Sequence, residues 1–311
     1  MCSATLRRSR SSSSEVVTLA EDDPAYAVAT APDGRVITGL SGYGDGKVMV
    51  WRDGACEHIK AHADWVWAVA VLPGGTRFVS VSRDKTAKLW TLDGAHERTF
   101  EVGSSVSCVA ALPDGVHFVV GLNMGPNMGE VRLYHVDDGT LVHTFKGRKK
   151  SVNAVDVTPD GQHIISGSED TLVKVWSVAT KSLVGTCTGH EGSVMAVAAM
   201  PDGQRFLSAA YGAHDKAVRV WRLNGTQQNT FEMDAAVLAL VAMSDNEHAL
   251  AGSFDKTVKL FNVNDGAVLR SIKRYKSPVT SLALLPDGLR FVSGSEDGDA
   301  CIAYHGLAPD A

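Results

Sequence analysis

Two groups of residues in this sequence have the makings of a catalytic triad. His62, Ser80 and Asp84, and again His190, Ser208 and Asp215, each supply an imidazole, a hydroxyl and a carboxylate, the combination that activates a serine nucleophile. In both groups His and Ser stand 18 residues apart, and an indole follows, Trp90 in one and Trp221 in the other. The duplication argues against catalysis, because one nucleophile suffices for an active site. The same groups also satisfy one another as buried structure. A carboxylate takes donors, an imidazole can donate to it while accepting from a hydroxyl, and an indole N–H needs an acceptor. No residue is therefore assigned a catalytic role.

Other chemistries find less support. His58 and His62 are spaced to share a helix face, but they fall across a strand-to-loop junction, so no metal site is expected. The five cysteines (Cys2, Cys56, Cys108, Cys187, Cys301) are scattered and contain no CxxC pair. Neither a zinc site nor a disulfide framework follows, and a reducing, cytoplasmic location is expected, with the nucleus as the alternative. The loop from Gly39 to Gly46 lacks the GK[ST] ending of a phosphate cradle and leads into a strand, so no cofactor is implied. A formal charge of −5 argues against a general binder of nucleic acid or anionic membrane. Lys146, Arg148, Lys149 and Lys150, and farther on Lys273, Arg274 and Lys276, read as a solvated basic rim, with an RNA or acidic partner as the sharper alternative. Asn224-Gly225-Thr226 is a glycosylation sequon that matters only in a secreted chain.

The elements that would position these residues recur along the chain. With 311 residues, 44% hydrophobic and 21% charged, the composition is that of a globular protein, and thirty glycines against ten prolines point to many tight turns. Turn signals fall at Pro32-Asp-Gly34, Pro73-Gly-Gly75, Pro113-Asp-Gly115, Pro159-Asp-Gly161, Pro201-Asp-Gly203, Ser244-Asp-Asn246 and Pro286-Asp-Gly288, at intervals of 41, 40, 46, 42, 43 and 42 residues. Seven units result. Each turn joins two apolar strands, as in Val66 to Leu72 and Arg77 to Ser80. A third strand ends on Trp51, Trp90, Tyr134, Trp176, Trp221 and Phe261, and in the seventh unit on Ala303 or Tyr304. In the stretch Ser166 to Trp176, alternation places Leu172 and Lys174 outward and Val173 and Val175 inward. A more polar fourth strand follows in six units and is missing from the last. No apolar run approaches the roughly 20 residues of a membrane helix, and Met1 to Ser14 lacks the apolar core of a secretory signal. Residues 1–14, rich in Ser and Arg, read as a disordered tail, with a transit peptide or a phosphorylation site as alternatives. Glu15 to Leu19 is a strand-like run that belongs to no unit.

Four-stranded units of this length, with an aromatic closing the third strand, make the chain similar to the WD-repeat β-propeller family. The resemblance covers residues 15–307 and implies an all-β, seven-bladed β-propeller of four-stranded antiparallel blades. It also implies that Glu15 to Leu19 pairs with the last blade and closes the ring. The family's polar network is matched in full by His62, Ser80, Asp84 and Trp90, and by His190, Ser208, Asp215 and Trp221, which makes both sets structural. Elsewhere the His position reads Glu21, Val102, Arg148, Met233 and Tyr275. Unit three departs furthest, with Val120 for the Ser and Met128 near the expected Asp. The Trp-Asp dipeptide that names the family never occurs, so the WDxR motif that docks some members onto cullin ligase adaptors is absent.

The resemblance also implies a non-enzymatic scaffold that binds a peptide or protein on its top rim, as a monomeric disc within a larger complex. Counting back seven residues from each turn places Ala25, Val66, Val106, Val152, Val194, Val237 and Val279 in register, and their flanking residues belong at the channel mouth. Those positions, with the residue before each turn Asp, are the family's usual partner-contact ring. Here they yield Tyr26, Trp65, Trp67, Arg83, Glu169, Met195, His214, Phe254 and Glu296 as candidate partner-binding residues. Trp65, Trp67 and Arg83 lead because Trp and Arg anchor interfaces, although Trp67 could instead pack between blades. Loops lengthened at Gly39–Asp45, Gly121–Gly129 and Ala209–His214 emerge on the same face. An RNA-binding propeller using the basic rim, or an enzyme with Glu169, His214 and Glu296 about a central channel, are the alternatives.

Overall fold

In the computed structural model of the chain, the described residues are 5–11, 14–20, 23–42, 45–52, 55–123, 129–148, 150–297 and 299–304. They are organised as antiparallel sheets, and no helix among them is long and apolar enough to cross a membrane. The chain begins with β1 (Thr5–Ser11) and β2 (Ser14–Ala20). The first full unit is β3 (Ala25–Thr30), β4 (Val36–Ser41), β5 (Gly46–Arg52) and β6 (Ala55–His62), paired in that order. Five more four-stranded meanders follow, and the last sheet has five strands drawn from both ends of the chain. Its order is β1, β2, Asp299–Tyr304, Arg290–Ser295 and Val279–Leu284, with Val17 opposite Ile302.

The turns work as their composition requires. Asp33, Asp114, Asp160, Asp202, Asp245 and Asp287 each accept a hydrogen bond from the backbone N–H two residues on, at 2.8 to 3.1 Å, which closes an Asx turn. The following residue takes the left-handed backbone that Gly adopts freely, as at Gly115 (φ 72°), and Asn246 (φ 61°) does so in unit six.

The core lies between sheets. Phe78, Trp90 and Leu92 of unit two cluster with Ile37, Val48 and Val50 of unit one. Phe206 and Trp221 of unit five cluster with Ile165, Val173 and Val175 of unit four. Burying one such side chain contributes about 1.5–3 kcal/mol. Close approach is helped by Gly39, Gly121, Gly167 and Gly252, which face Val66, Val152, Val194 and Val279 of the next unit.

Three expectations are corrected. Residues 5–11, read as a disordered tail, form β1, paired with β2 from Thr5↔Ala20 to Ser11↔Ser14. The free edge of β2 offers backbone donors and acceptors that a strand can pair with whether or not it has an apolar face. Lys174, read as outward, is buried, because adjacent sheets cover both faces of each sheet and alternation no longer separates inside from outside. Its Nζ donates to Gly147 O and lies 5.6 Å from the centroid of the Trp176 ring. Arg148 leaves the supposed basic rim for the interior. The register also removes an ambiguity: Phe291 faces Ala303 as Phe78 faces Trp90, so Ala303 holds the aromatic position.

Candidate functional site: the polar networks and the channel mouth

In unit two, His62 Nδ1 lies 2.9 Å from Asp84 Oδ2 and Nε2 lies 2.7 Å from Ser80 Oγ, which accepts from Trp90 Nε1 at 2.9 Å. Unit five repeats this with His190 to Asp215 at 2.8 Å, His190 to Ser208 at 2.7 Å, and Trp221 to Ser208 at 2.7 Å. Burial works against the charge of Asp84, but bonds from His62 and Thr86 outweigh it and hold the carboxyl well below its usual range. For Asp215 the attraction of His190 and the Glu191 N–H likewise overcome burial, while burial lowers His190 itself. Each serine oxygen is capped by an indole, so neither hydroxyl faces a substrate space.

The altered units find substitutes. In unit four, Arg148 donates to Asp170 at 3.1 Å, to Leu172 O at 3.0 Å, and to Ser166 Oγ at 2.6 Å, where Trp176 Nε1 also donates. Burial lowers the Arg148 guanidinium to about 10, so it stays charged at neutral pH beside Asp170. In unit seven, Tyr275 OH meets Ser293 Oγ at 2.5 Å. Units two to six also carry a cation four residues past the turn Asp position. Examples are Arg219, 3.2 Å from Asp215, and Lys259, 2.5 Å from Asp234 and 3.3 Å from Asp255. Of these cations the sequence reading placed only Lys174, and that outward; the signal for the set was its recurrence at Lys88, Arg132, Lys174, Arg219 and Lys259.

The channel mouth is built by a repeated irregularity. In every unit the pairing of the first two strands skips one residue of the inner strand: Tyr26, Trp67, Ser107, Asn153, Met195, Leu238 and Thr280. A β-bulge re-aims the side chain it carries. All seven line one cavity of about 380 Å³, together with Tyr211, Phe254 and Glu296. Trp65 stacks on Tyr26 at 6.2 Å and meets Trp67 edge-on at 5.4 Å. Arg83 lies 5.5 Å from the centroid of the Trp65 ring and 3.7 Å from Asp64. Opposite this aromatic group, Tyr211 and Phe254 pack at 5.7 Å and are each 47% exposed.

Of the nine candidates, Tyr26, Trp67, Met195, Phe254 and Glu296 line the cavity, and Trp65 and Arg83 extend its rim. Trp67 lines the cavity and also meets Tyr26 of the preceding unit edge-on at 5.4 Å. Glu169 and His214 lie outside the wall. Glu169 turns toward Lys150 at 3.6 Å, and His214 is exposed in the loop after Tyr211. Tyr211 was missed because it ends a strand that only the pairing with Ser193 extends that far. Parts of the lengthened loops at residues 43–44 and 124–128 lie outside the described residues.

One further residue was not anticipated. Asp156 stands where other units have Ala29, Ala70, Ala110, Ala198, Val241 and Ala283. It accepts from Val157 N and from Ala199 N of the next unit, both at 2.8 Å. Burial pushes its carboxyl up to about 6 against those two bonds. The signal available was a single acid at a position otherwise small or apolar.

The fold and its repeated network define a β-propeller of the repeat type. A family model described as "WD domain, G-beta repeat" matches residues 13–52, 54–91, 139–177, 181–222, 225–262 and 266–302, and the chain belongs to that family. The unmatched stretch contains unit three, the unit with the weakest pattern. The chain is similar to cilia- and flagella-associated protein 52 of Macaca fascicularis, 29% identical over 48% of this chain and 26% of that protein. It is also similar to apoptotic protease-activating factor 1 of Rattus norvegicus (23%, over 77% and 22%). Transcription initiation factor TFIID subunit 5 of Caenorhabditis elegans is 30% identical over 50% of this chain and 24% of that protein. In each case the matched region spans about a quarter of the curated relative. The family is in general one of non-enzymatic scaffolds that bind protein partners.

Proposed function

We propose that this propeller is a non-enzymatic interaction scaffold that receives a peptide or protein segment at the mouth of its channel, with Tyr26, Trp65, Trp67, Arg83, Met195, Phe254 and Glu296 as contacts and Glu169 and His214 on the outer rim. The observation that carries this reading is the recurrent bulge, which turns one side chain from every unit into a single aromatic-lined cavity. Both Ser-His-Asp sets are engaged in internal bonding, which favours a scaffold over an enzyme. In the basic cluster before unit four, Arg148 is internal while Lys146 and Lys150 face Glu130 and Glu169. That arrangement favours a solvated rim over an RNA site.

In this reading seven blades form one monomeric ring, shut by β2 against the last unit. The relative named as a TFIID subunit suggests membership of a multi-protein complex. The relative named for cilia and flagella suggests a cytoplasmic or ciliary setting. Affinity capture followed by mass spectrometry, comparing wild type with Trp65→Ala/Arg83→Ala, tests the site. A partner lost by the double variant at unchanged melting temperature is expected, and equal recovery would rule the rim out.

A further inference from the structure

Within the mouth proposed above, the hydrogen-bonding capacity is one-sided. Ser107, Asn153 and Thr280, three of the seven bulged residues, use their hydrogens in the same way. Ser107 Oγ donates to Val152 O, Asn153 Nδ2 donates to Val194 O at 3.1 Å, and Thr280 Oγ1 donates to Ala25 O at 3.1 Å. Each acceptor is the carbonyl of the residue just before the bulged one in the next unit. Asn153 Nδ2 also donates to Met195 Sδ at 3.7 Å. With these donors engaged, Ser107, Asn153 and Thr280 offer the cavity only lone pairs.

Glu296 adds a carboxylate. It is exposed, it is the only charged group among the ten lining residues, and it forms no ion pair among the described residues. Its charge reaches into the mouth: after burial, it is the second cause that raises the Tyr26 phenol. The remaining wall is mostly aromatic face, from Tyr26, Trp67, Tyr211 and Phe254. The donors left are the hydroxyls of the two tyrosines, which also accept, and the indole N–H of Trp67. Arg83 over Trp65 shows that the rim of the same aromatic group already holds a guanidinium.

Acceptors, a carboxylate and π faces together match a group that only donates and carries positive charge. We infer that the side chain seated in the channel mouth is cationic, the lysine or arginine of a partner segment. This deepens the scaffold reading and rests on it. A glutamate or a phosphorylated residue would meet Glu296 and a row of lone pairs, and is rejected.

The test uses the full chain at physiological ionic strength, so that the overall negative charge is screened. Fluorescence polarisation is read against short synthetic peptides with degenerate flanks and a fixed central Arg, Lys, Gln or Glu. The Arg and Lys pools should bind at least about tenfold more tightly than the Gln pool, and the Glu pool least. Glu296→Gln, at an exposed position, should keep the melting temperature and lose most of that preference, while Trp67→Ala weakens every pool. Equal binding of all four pools, lost in Trp67→Ala, would overturn the cation and leave the scaffold reading standing. Cation preference indifferent to both substitutions would place the binding elsewhere on the acidic surface and overturn the inference. Failure of every pool, combined with full partner recovery by the Trp65→Ala/Arg83→Ala variant, would overturn both.

Discussion

Arg148 occupies the slot that His62 and His190 fill in their units, and its side chain is fully buried. Arg148→Ala leaves Asp170 buried without its cation, and such a loss typically costs about 3–5 kcal/mol. The urea midpoint should fall accordingly with the slope unchanged. Arg148→Lys should not restore it, because an ammonium cannot reproduce the planar fork that reaches Asp170, Leu172 O and Ser166. Asp156 offers a second check, through pH. Its carboxyl holds a proton up to about 6 in the fold, above the unfolded value near 3.8. The native chain therefore binds more protons across that window. The contribution of this group is full below about pH 4 and is lost as pH rises through 6. The melting-temperature advantage of wild type over Asp156→Ala should shrink between pH 5 and pH 7.5, and an advantage that grows would refute the assignment.

Between elements, strand two of one unit packs against strand one of the next, a contact second only to that between the first strands themselves. A Cβ on Gly167 would come within 2.5 Å of Val194 Cγ1. Gly167→Val should therefore cost about 1–3 kcal/mol through overpacking. Val194→Ala in the same chain should recover part of that loss, a coupling that a double-mutant cycle measures. The hairpins were legible in sequence because their turn chemistry is local: Pro sets φ, Asp bonds the N–H two residues on, and Gly accepts the left-handed backbone. The interior of the sheets was less legible. Lys174 looks solvent-facing in an alternating strand, and nothing local reveals that the next sheet covers it. β1 was illegible for a related reason, since its composition lacks an apolar face and its place depends on the open edge of β2.

For the molecule as a whole, the first strand of each sheet packs beside that of the next, and Val279–Leu284 packs beside β3. Thr30 Oγ1 bonds Leu284 O at 2.5 Å across that junction. If β2 shuts the ring, deleting residues 1–20 should lower the melting temperature markedly and broaden unfolding into more than one step. Deleting residues 1–13 should leave both nearly as they are. A ring lets every sheet support two neighbours, whereas an open array frays from its ends. Identical melting curves for the two truncations would argue against closure.

The all-β class, the seven units and the two full His-Ser-Asp-Trp sets could be read from the chain alone, because each rests on short-range chemistry repeated at a fixed interval. The candidate mouth could be read only as a set of flanking positions. Which member of each pair points into the cavity depends on the bulge, and a bulge exists only where two strands are paired. The same holds for Lys174 and Asp156, whereas Arg148 already stands in the His position of its unit in the sequence. Whether a charge lies in water or between sheets depends on partners such as Gly147 for Lys174 and Ala199 for Asp156, 27 and 43 residues away in sequence, which no local pattern records.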